Sequence, residues 1–366
     1  MNSNNIILFL IYKLSSKNRF LWRILRKIIL PFFDLYFRIS DYITFKFLRS
    51  KQINSPSKRI HIHTQAWGEY LDWFLKYNLP SLLQKDNLPK LSLQGYEIHF
   101  YIYTALQDKR KLLKNLKSAK SIKEFSNYGE IHISYFNLDD YKERNEIQIK
   151  NLIHFIKDCL SNKAYFLHSP PDIIFGNNSI YNGFKSIEGK NVCFSAPTAR
   201  VALNKIKNQK GIKDLEDLCS IISNSKLVNY LFKSLHSEME FAFDNEDTNT
   251  TFNTGVSIRK IDPSSYAVIH NIPSVFLGKF NFFDLTFFHL NYSFNDWDRK
   301  WSSFLLRTNR LKVCGSSDMF FLVELTKDSF KDPIFESNML YNDLKNEGLR
   351  LEHLIPNQFI SFWSSK

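Results

Sequence analysis

The feature that most constrains this chain is a change of hydrophobic period between residues 59 and 82. Over Arg59-Ile60-His61-Ile62-His63-Thr64 apolar and polar residues alternate, the pattern of a strand with one face on a core. After the polar turn Gln65-Ala66-Trp67-Gly68, the residues Leu71, Phe74, Leu75, Leu79 and Leu82 recur at helical spacing. Pro80 and the run Gln84-Lys85-Asp86-Asn87 predict the end of that helix. A strand that opens through a polar turn into a helix is the unit of an α/β domain, whose ligands bind beyond the carboxyl ends of its strands.

The unit recurs. Strands are predicted over 95–104, 129–136, 164–168 and 191–195, and helices over 108–120 and 141–160. In the second helix Ile149, Ile153, Ile156 and Leu160 form one stripe. Strands alternating with helices predict a mostly parallel sheet flanked by helices. Beyond it, 200–240 reads as two or three helices, 250–258 and 265–269 as strands, and the aromatic 280–291 as β-prone. Residues 311–321 read as a strand, a polar turn and an apolar helix. His61, His63, His99, His132 and His168 fall in four of the strands. Their spacing matches no standard ligand motif, so two readings stand: side chains of the sheet face, or a metal cluster.

Charge divides the chain. Residues 1–59 carry twelve Lys/Arg against Asp34 and Asp41, a net +10 of the total +13. Arg19, Arg23, Arg26, Lys27, Asp34, Arg38 and Asp41 make a polar stripe, and Phe20, Leu21, Trp22, Ile24, Leu25, Ile28, Phe32 and Phe33 fill the opposite side. A wide apolar face with Trp and Phe beside basic residues is the pattern of a helix lying in a membrane interface. The same face could instead pack on the rest of the protein or on a partner. No uncharged apolar run approaches the ~20 residues of a spanning helix. The near-neutral remainder excludes a nucleic-acid footprint outside this segment. The expected division is a basic amphipathic segment (1–57), an α/β domain (58–330) and a helical C-terminal extension (331–366). The four cysteines contain no C-x-x-C pair, which points to reduced thiols and a cytosolic setting.

Phosphate-loop, dinucleotide, nucleophile-elbow and zincin motifs are absent. The most chemical stretch is Tyr165-Phe166-Leu167-His168-Ser169-Pro170-Pro171-Asp172-Ile173-Ile174-Phe175-Gly176-Asn177-Asn178, where a strand ends, two prolines follow and a carboxylate appears. It is followed by Asn191-Val192-Cys193-Phe194-Ser195-Ala196-Pro197-Thr198-Ala199-Arg200. With the opening strand-turn-helix, this succession resembles the nucleotide-sugar-dependent glycosyltransferases of the GT-A fold. More narrowly, it is similar to single-domain bacterial transferases of surface-polysaccharide clusters, over roughly residues 59–325.

The resemblance implies a sugar moved from a nucleotide-sugar donor to a lipid-linked or polysaccharide acceptor, by a protein peripheral on the cytoplasmic face of the membrane. Thr64, Gln65 and Trp67 would then hold base and ribose, and Tyr103 and Thr104 would line the same pocket. Such enzymes carry an Asp-x-Asp after a middle strand, binding Mg2+ or Mn2+ across the diphosphate, because a hard cation offsets the leaving charge. Here Asp172 and the amides Asn177 and Asn178 occupy that place, and Asp-x-Asp itself occurs at Asp296-Trp297-Asp298. Transfer without metal, with Arg200 or another cation on the diphosphate, is the other route open at this point. Asp318 fits either a general base for the acceptor hydroxyl or a helix N-cap. His289 fits a base or phosphate contact, or a core histidine. Two rival functions stay open: a non-catalytic relative acting in binding or assembly, and another α/β transferase class.

Overall fold

The computed structural model describes residues 58–118, 125–141, 144–207, 223–236, 256–270, 274–290, 297–327 and 359–365. The amphipathic segment 1–57, Asp296 and residues 331–358 lie outside them. Along the chain the strands are β1 (Arg59–Gln65), β2 (Glu97–Ala105), β3 (Gly129–Phe136), β4 (Tyr165–His168), β5 (Ile173–Phe175), β6 (Cys193–Ser195) and β7 (Ala199–Ala202). They continue with β8 (Val256–Asp262), β9 (Ser265–His270), β10 (Val275–Lys279), β11 (Leu311–Val313), β12 (Leu322–Thr326) and β13 (Phe359–Ser364). The helices used below are α1 (69–82), α2 (Leu88–Leu93), α3 (Lys109–Ser118), α4 (Arg144–Asn162), α5 (Ser179–Ile187), α6 (Leu203–Lys207), α7 (Asn224–Lys233), α8 (Phe282–Leu290) and α9 (Trp297–Arg307).

The protein is α/β, with a central sheet in the order β11-β6-β10-β4-β1-β2-β3. Every neighbouring pair in it is parallel except those made by β10, which runs against both β4 and β6. Helices cover both faces. Alternation along β1 divides its side chains: Ile60 and Ile62 are fully buried in a core with Leu71 and Phe74 of α1, Leu91 of α2 and Phe184 of α5. His61 and His63 point the other way, where both rings meet Phe155 of α4. Burying each such isoleucine contributes about 1.5–3 kcal/mol, so a one-residue slip of β1, which would exchange Ile for His, is strongly disfavoured. A smaller sheet, β5-β12-β7, and an antiparallel one, β13-β9-β8, enclose a second core with α7.

Helix α1 continues past Pro80. Between the α-helical segments Glu69–Trp73 and Leu79–Leu82 lies a π-helical turn, Phe74–Asn78. The proline sits just after it, where the wider turn accommodates a residue without an N–H.

Three expected elements differ. The stretch 280–291 forms α8, begun by Asn281, whose Oδ1 accepts from the backbone N–H of Phe283 and Asp284, while Asp284 Oδ2 accepts from Asn281 N–H. That reciprocal cap overrides the β propensity of its phenylalanines. The helix expected after Asp318 is instead β12, because Leu322, Val323 and Leu325 are all buried. A short apolar run covered on both faces has no period that separates helix from strand. At the C-terminus, Phe359–Ser364 is not helical but a strand paired with β9.

Asp284 is wholly buried and ion-paired with Arg310 at 2.9 Å. Trp301 Nε1 donates to the same carboxylate at 3.0 Å, which ties α8, α9 and the approach to β11 together. Cys159, Cys193 and Cys314 are buried free thiols, and burial pushes the Cys193 thiol up to about 12. No helix among the described residues is long and apolar enough to cross a membrane.

Candidate active site at the switch point of the sheet

The chain lays β2 and β3 on one side of β1 and then returns to lay β4 on the other. The carboxyl ends of β1 and β4 therefore flank a topological switch point, the place where open α/β sheets leave a crevice for ligands. A pocket of about 170 Å3 lies there. Gln65 comes from the end of β1 and His168 from the end of β4. Tyr70 of α1, Gln148 of α4 and the turn Pro170-Pro171-Asp172 complete the lining.

Its floor is a hydrogen-bonded chain whose protons can be assigned. The Gln148 carbonyl only accepts, so Gln65 faces it with Nε2, at 2.9 Å. Gln65 Oε1 accepts from Asn151 Nδ2 at 3.3 Å. The second Nε2 hydrogen is directed to His63 Nε2, 3.2 Å away, which must then be an acceptor. His63 carries its proton on Nδ1 and donates it to His168 Nδ1 at 3.0 Å. His168 in turn is protonated on Nε2. Both rings are neutral: burial, with the neighbouring imidazole second, holds His63 well below the ordinary histidine range, and burial lowers His168 to about 4.

The wall is fixed from α1. Asn78, the last residue of the π turn and fully buried, donates Nδ2 to the carbonyls of Pro170 (3.0 Å) and Ile173 (2.8 Å). Its Oδ1 accepts from Ser169 Oγ at 2.9 Å. One amide thus holds the backbone on both sides of Asp172, whose own carbonyl accepts from Leu325 N–H of β12. Two prolines remove further freedom from the turn. Among the lining residues Asp172 alone carries a formal charge, and no Lys or Arg is present.

Of the residues expected from sequence, Gln65 and Asp172 line the pocket and the others take different places. Thr64 and Thr104 are fully buried, and their hydroxyls find no hydrogen-bond partner among the described residues. Tyr103 is buried, with its hydroxyl 3.1 Å from His154 Nδ1. Trp67 packs edge-to-face on Phe136. Asn177 Nδ2 donates to Asp86 (2.8 Å), and Asn178 Oδ1 accepts from Lys90 Nζ (3.2 Å). Asn178 adopts φ 69° ahead of α5, a left-handed conformation that asparagine tolerates. These amides hold the far end of β5, one strand length from Asp172. Arg200 pairs with Glu324 across β7 and β12 at 3.1 Å.

Asp318 is exposed in the turn before β12. That strand is antiparallel to β5, so its beginning adjoins Gly176 and its end adjoins Asp172. Asp318 is therefore at the end remote from the pocket, and no helix follows for it to cap. His289 is buried on α8, where burial first and Lys157 second lower it to about 4. Lys157 is about 13 Å farther along α4 than Gln148, at the roughly 1.5 Å rise of an α-helix.

Tyr70, Gln148, Asn151 and Asn78 were not singled out by sequence. The available signal was weak but physical. Gln148 and Asn151 are polar residues three apart on a helix that otherwise buries its stripe, and Asn78 interrupts the apolar face of α1. No family model and no curated protein matches this chain.

Proposed function

We propose that this protein is a GT-A-type glycosyltransferase that takes a sugar from a nucleotide-sugar donor and passes it to a lipid-linked or polysaccharide acceptor. One observation carries the reading: a pocket at the β1/β4 switch point whose only formal charge is Asp172, presented on a rigid Pro-Pro-Asp turn just after a middle strand. A lining that offers a carboxylate and no Lys or Arg suits a diphosphate better with Mg2+ or Mn2+ held by Asp172 than without metal. Arg200, the cation named for the metal-free alternative, is paired with Glu324 and does not line the pocket. When bound, that cation would offset charge on the leaving diphosphate.

The remaining residues position and exclude. Tyr70 offers a ring, Gln65 and Gln148 lie in the hydrogen-bonded floor, and the prolines stiffen the wall. In transfer the bond from the anomeric carbon to the phosphate oxygen breaks. A bond to the acceptor oxygen forms, and the acceptor hydroxyl releases a proton. At about 170 Å3 the described pocket takes one part of a donor, since sites for whole small molecules span roughly 300–1,000 Å3. The basic amphipathic stretch 1–57 fits an acceptor held at an anionic membrane surface, which raises its effective concentration. Deleting residues 1–50 should release the protein from anionic liposomes.

The deciding experiment screens a panel of nucleotide sugars for transfer and donor hydrolysis, with and without Mn2+. Turnover that needs the metal and is lost in Asp172→Asn supports the reading. Calorimetric binding without turnover points to a non-catalytic relative, which the single carboxylate also favours. Neither binding nor turnover with any donor overturns the proposal.

A further inference from the structure

A second group of histidines lies on the same face of the sheet, on β2 and β3, with His99 level with His61 and His132 level with His63. Parallel pairing sets His99 of β2 directly beside Glu130 of β3, and Tyr101 beside His132. Because Glu130 and His132 are two apart on one strand, they share a face. Gly129 makes this close pairing possible: a Cβ there would come within 2.3 Å of the Ile98 carbonyl oxygen. His99 Nδ1, His132 Nε2 and Glu130 Oε2 thus converge. Their separations are 3.1 Å between the two nitrogens, 3.6 Å from His99 to Glu130, and 3.8 Å from His132 to Glu130.

These edges have the dimensions of one face of a coordination tetrahedron. With bonds of about 2.1 Å, the ligand atoms of tetrahedral zinc lie about 3.4 Å apart. The mean of the three measured edges, about 3.5 Å, places a tetrahedral centre about 2.1 Å from each atom, at the usual Zn–N and Zn–O lengths. Two imidazoles and one carboxylate suit a borderline divalent metal and discriminate against Mg2+ and Ca2+, which take oxygen ligands. The surroundings hold the ligands in place. Tyr101 stacks on His132 with centroids 4.6 Å apart, and its hydroxyl donates to Asp158 Oδ2 at 2.5 Å. The nearby Arg59 is paired with Glu97 at 2.5 Å, which offsets its charge. His99 is partly covered, whereas His132 and Glu130 are open to solvent at 41% and 72%, so an ion has a path in.

We propose that His99, Glu130 and His132 form a zinc-class site, with three protein ligands and a fourth position facing solvent, joining the edge strand β3 to β2. This goes beyond the glycosyltransferase reading and does not depend on it: along the strands His99 and Glu130 stand four residues and His132 two residues short of the level of Gln65, roughly 13 and 7 Å at about 3.3 Å each, and on β2 and β3 rather than β1 and β4.

The test uses full-length protein freed of metal by chelator and titrated with Zn2+ alone by calorimetry. One equivalent should bind. His99→Ala and His132→Ala should each weaken affinity at least about 100-fold, and Glu130→Gln about 10-fold, with unchanged far-ultraviolet circular dichroism. Zn2+ should also raise the melting temperature of the parent protein but not of the His99→Ala/His132→Ala double variant. Glu130 is exposed, so Glu130→Gln keeps the test decisive if a histidine variant fails to fold. Co2+ loading should give the intense visible bands of a four-coordinate ion. Absence of stoichiometric binding, or affinity in Glu130→Gln and the histidine variants unchanged from the parent, would show a hydrogen-bonded imidazole pair only and overturn the assignment.

Discussion

The two histidine groups share a sheet, a face and a covering helix, yet their chemistry is opposite. Between β1 and β4 His63 is buried, His168 reaches the pocket, and the proton they share is directed by the Gln65 amide. Toward the β3 edge of the sheet His99 and His132 stand beside a carboxylate and reach solvent. Residue type therefore does not decide what a strand histidine does. A fixed donor one step away turns an imidazole pair into neutral scaffolding; a carboxylate in register turns another into a ligand set. In the proposed transfer the chemistry would fall to Asp172, which its scaffold supports without competing for a proton.

The sharpest way to break this contrast is at Asp172. Asp172→Asn keeps the shape of the turn and removes the charge, and it should lower transfer about 100- to 1,000-fold, or about 2.7–4 kcal/mol of transition-state stabilisation. Steady-state kinetics with the best donor would check it, and activity near the parent level would move the chemistry elsewhere. Next is acidity. An unfolded histidine titrates near 6.5, whereas burial lowers His168 to about 4 and His63 likewise falls well below its usual range. Between those values the unfolded chain binds more protons than the native one. Stability should thus be complete above about pH 6.5 and be lost as pH falls toward 4, by on the order of 3 kcal/mol for His168 alone. Denaturant melts across that window should show the loss, with a shallower slope in His168→Leu.

Gln65→Leu should cost about 1–3 kcal/mol, because it leaves His63 Nε2 and Asn151 without their amide partner. It should also free the tautomer of His63, visible in the nitrogen chemical shifts of the ring. The smallest effect belongs to Thr64→Val. The Thr64 hydroxyl is buried without a partner, so an isosteric methyl should leave stability unchanged or raise it by up to about 1 kcal/mol. A loss above that would mean the hydroxyl has an unrecognised role.

The sheet was legible because its strands announce themselves locally. Ile60 and Ile62 against His61 and His63 give both the element and its two faces, and the stripe of Ile149, Ile153 and Ile156 gives α4. Asp172 and Gln65 were legible as residues at strand ends. Contacts between distant segments were not. Period 2 tells that His61 and His63 share a face, but only pairing register sets His99 against Glu130, or joins His63 to His168. Thr64 and Thr104 were read as strand-end residues that reach the pocket, although each is fully buried within its strand. The helix α8 could have been read from Asn281-x-x-Asp284, a cap signal that the surrounding phenylalanines outweighed. β12 could not, since its brief apolar run fits either element.

The grip of Asn78 on the turn bearing Asp172 has a consequence for how a ligand would be met. A loop that must order itself around its guest spends part of the binding free energy on lost motion. Here the backbone from Ser169 to Ile173 is already held by one buried amide and stiffened by two prolines. That amide sits where it does because a single wide turn advances the end of α1. In evolutionary terms, a wide turn is a one-residue insertion that the helix has absorbed. Wound as a regular helix with the same number of residues, 74–78 would turn Asn78 away by about 100°, the step of 3.6 residues per turn. The rigidity of the wall thus hangs on the chain length of a helix that does not itself carry the carboxylate.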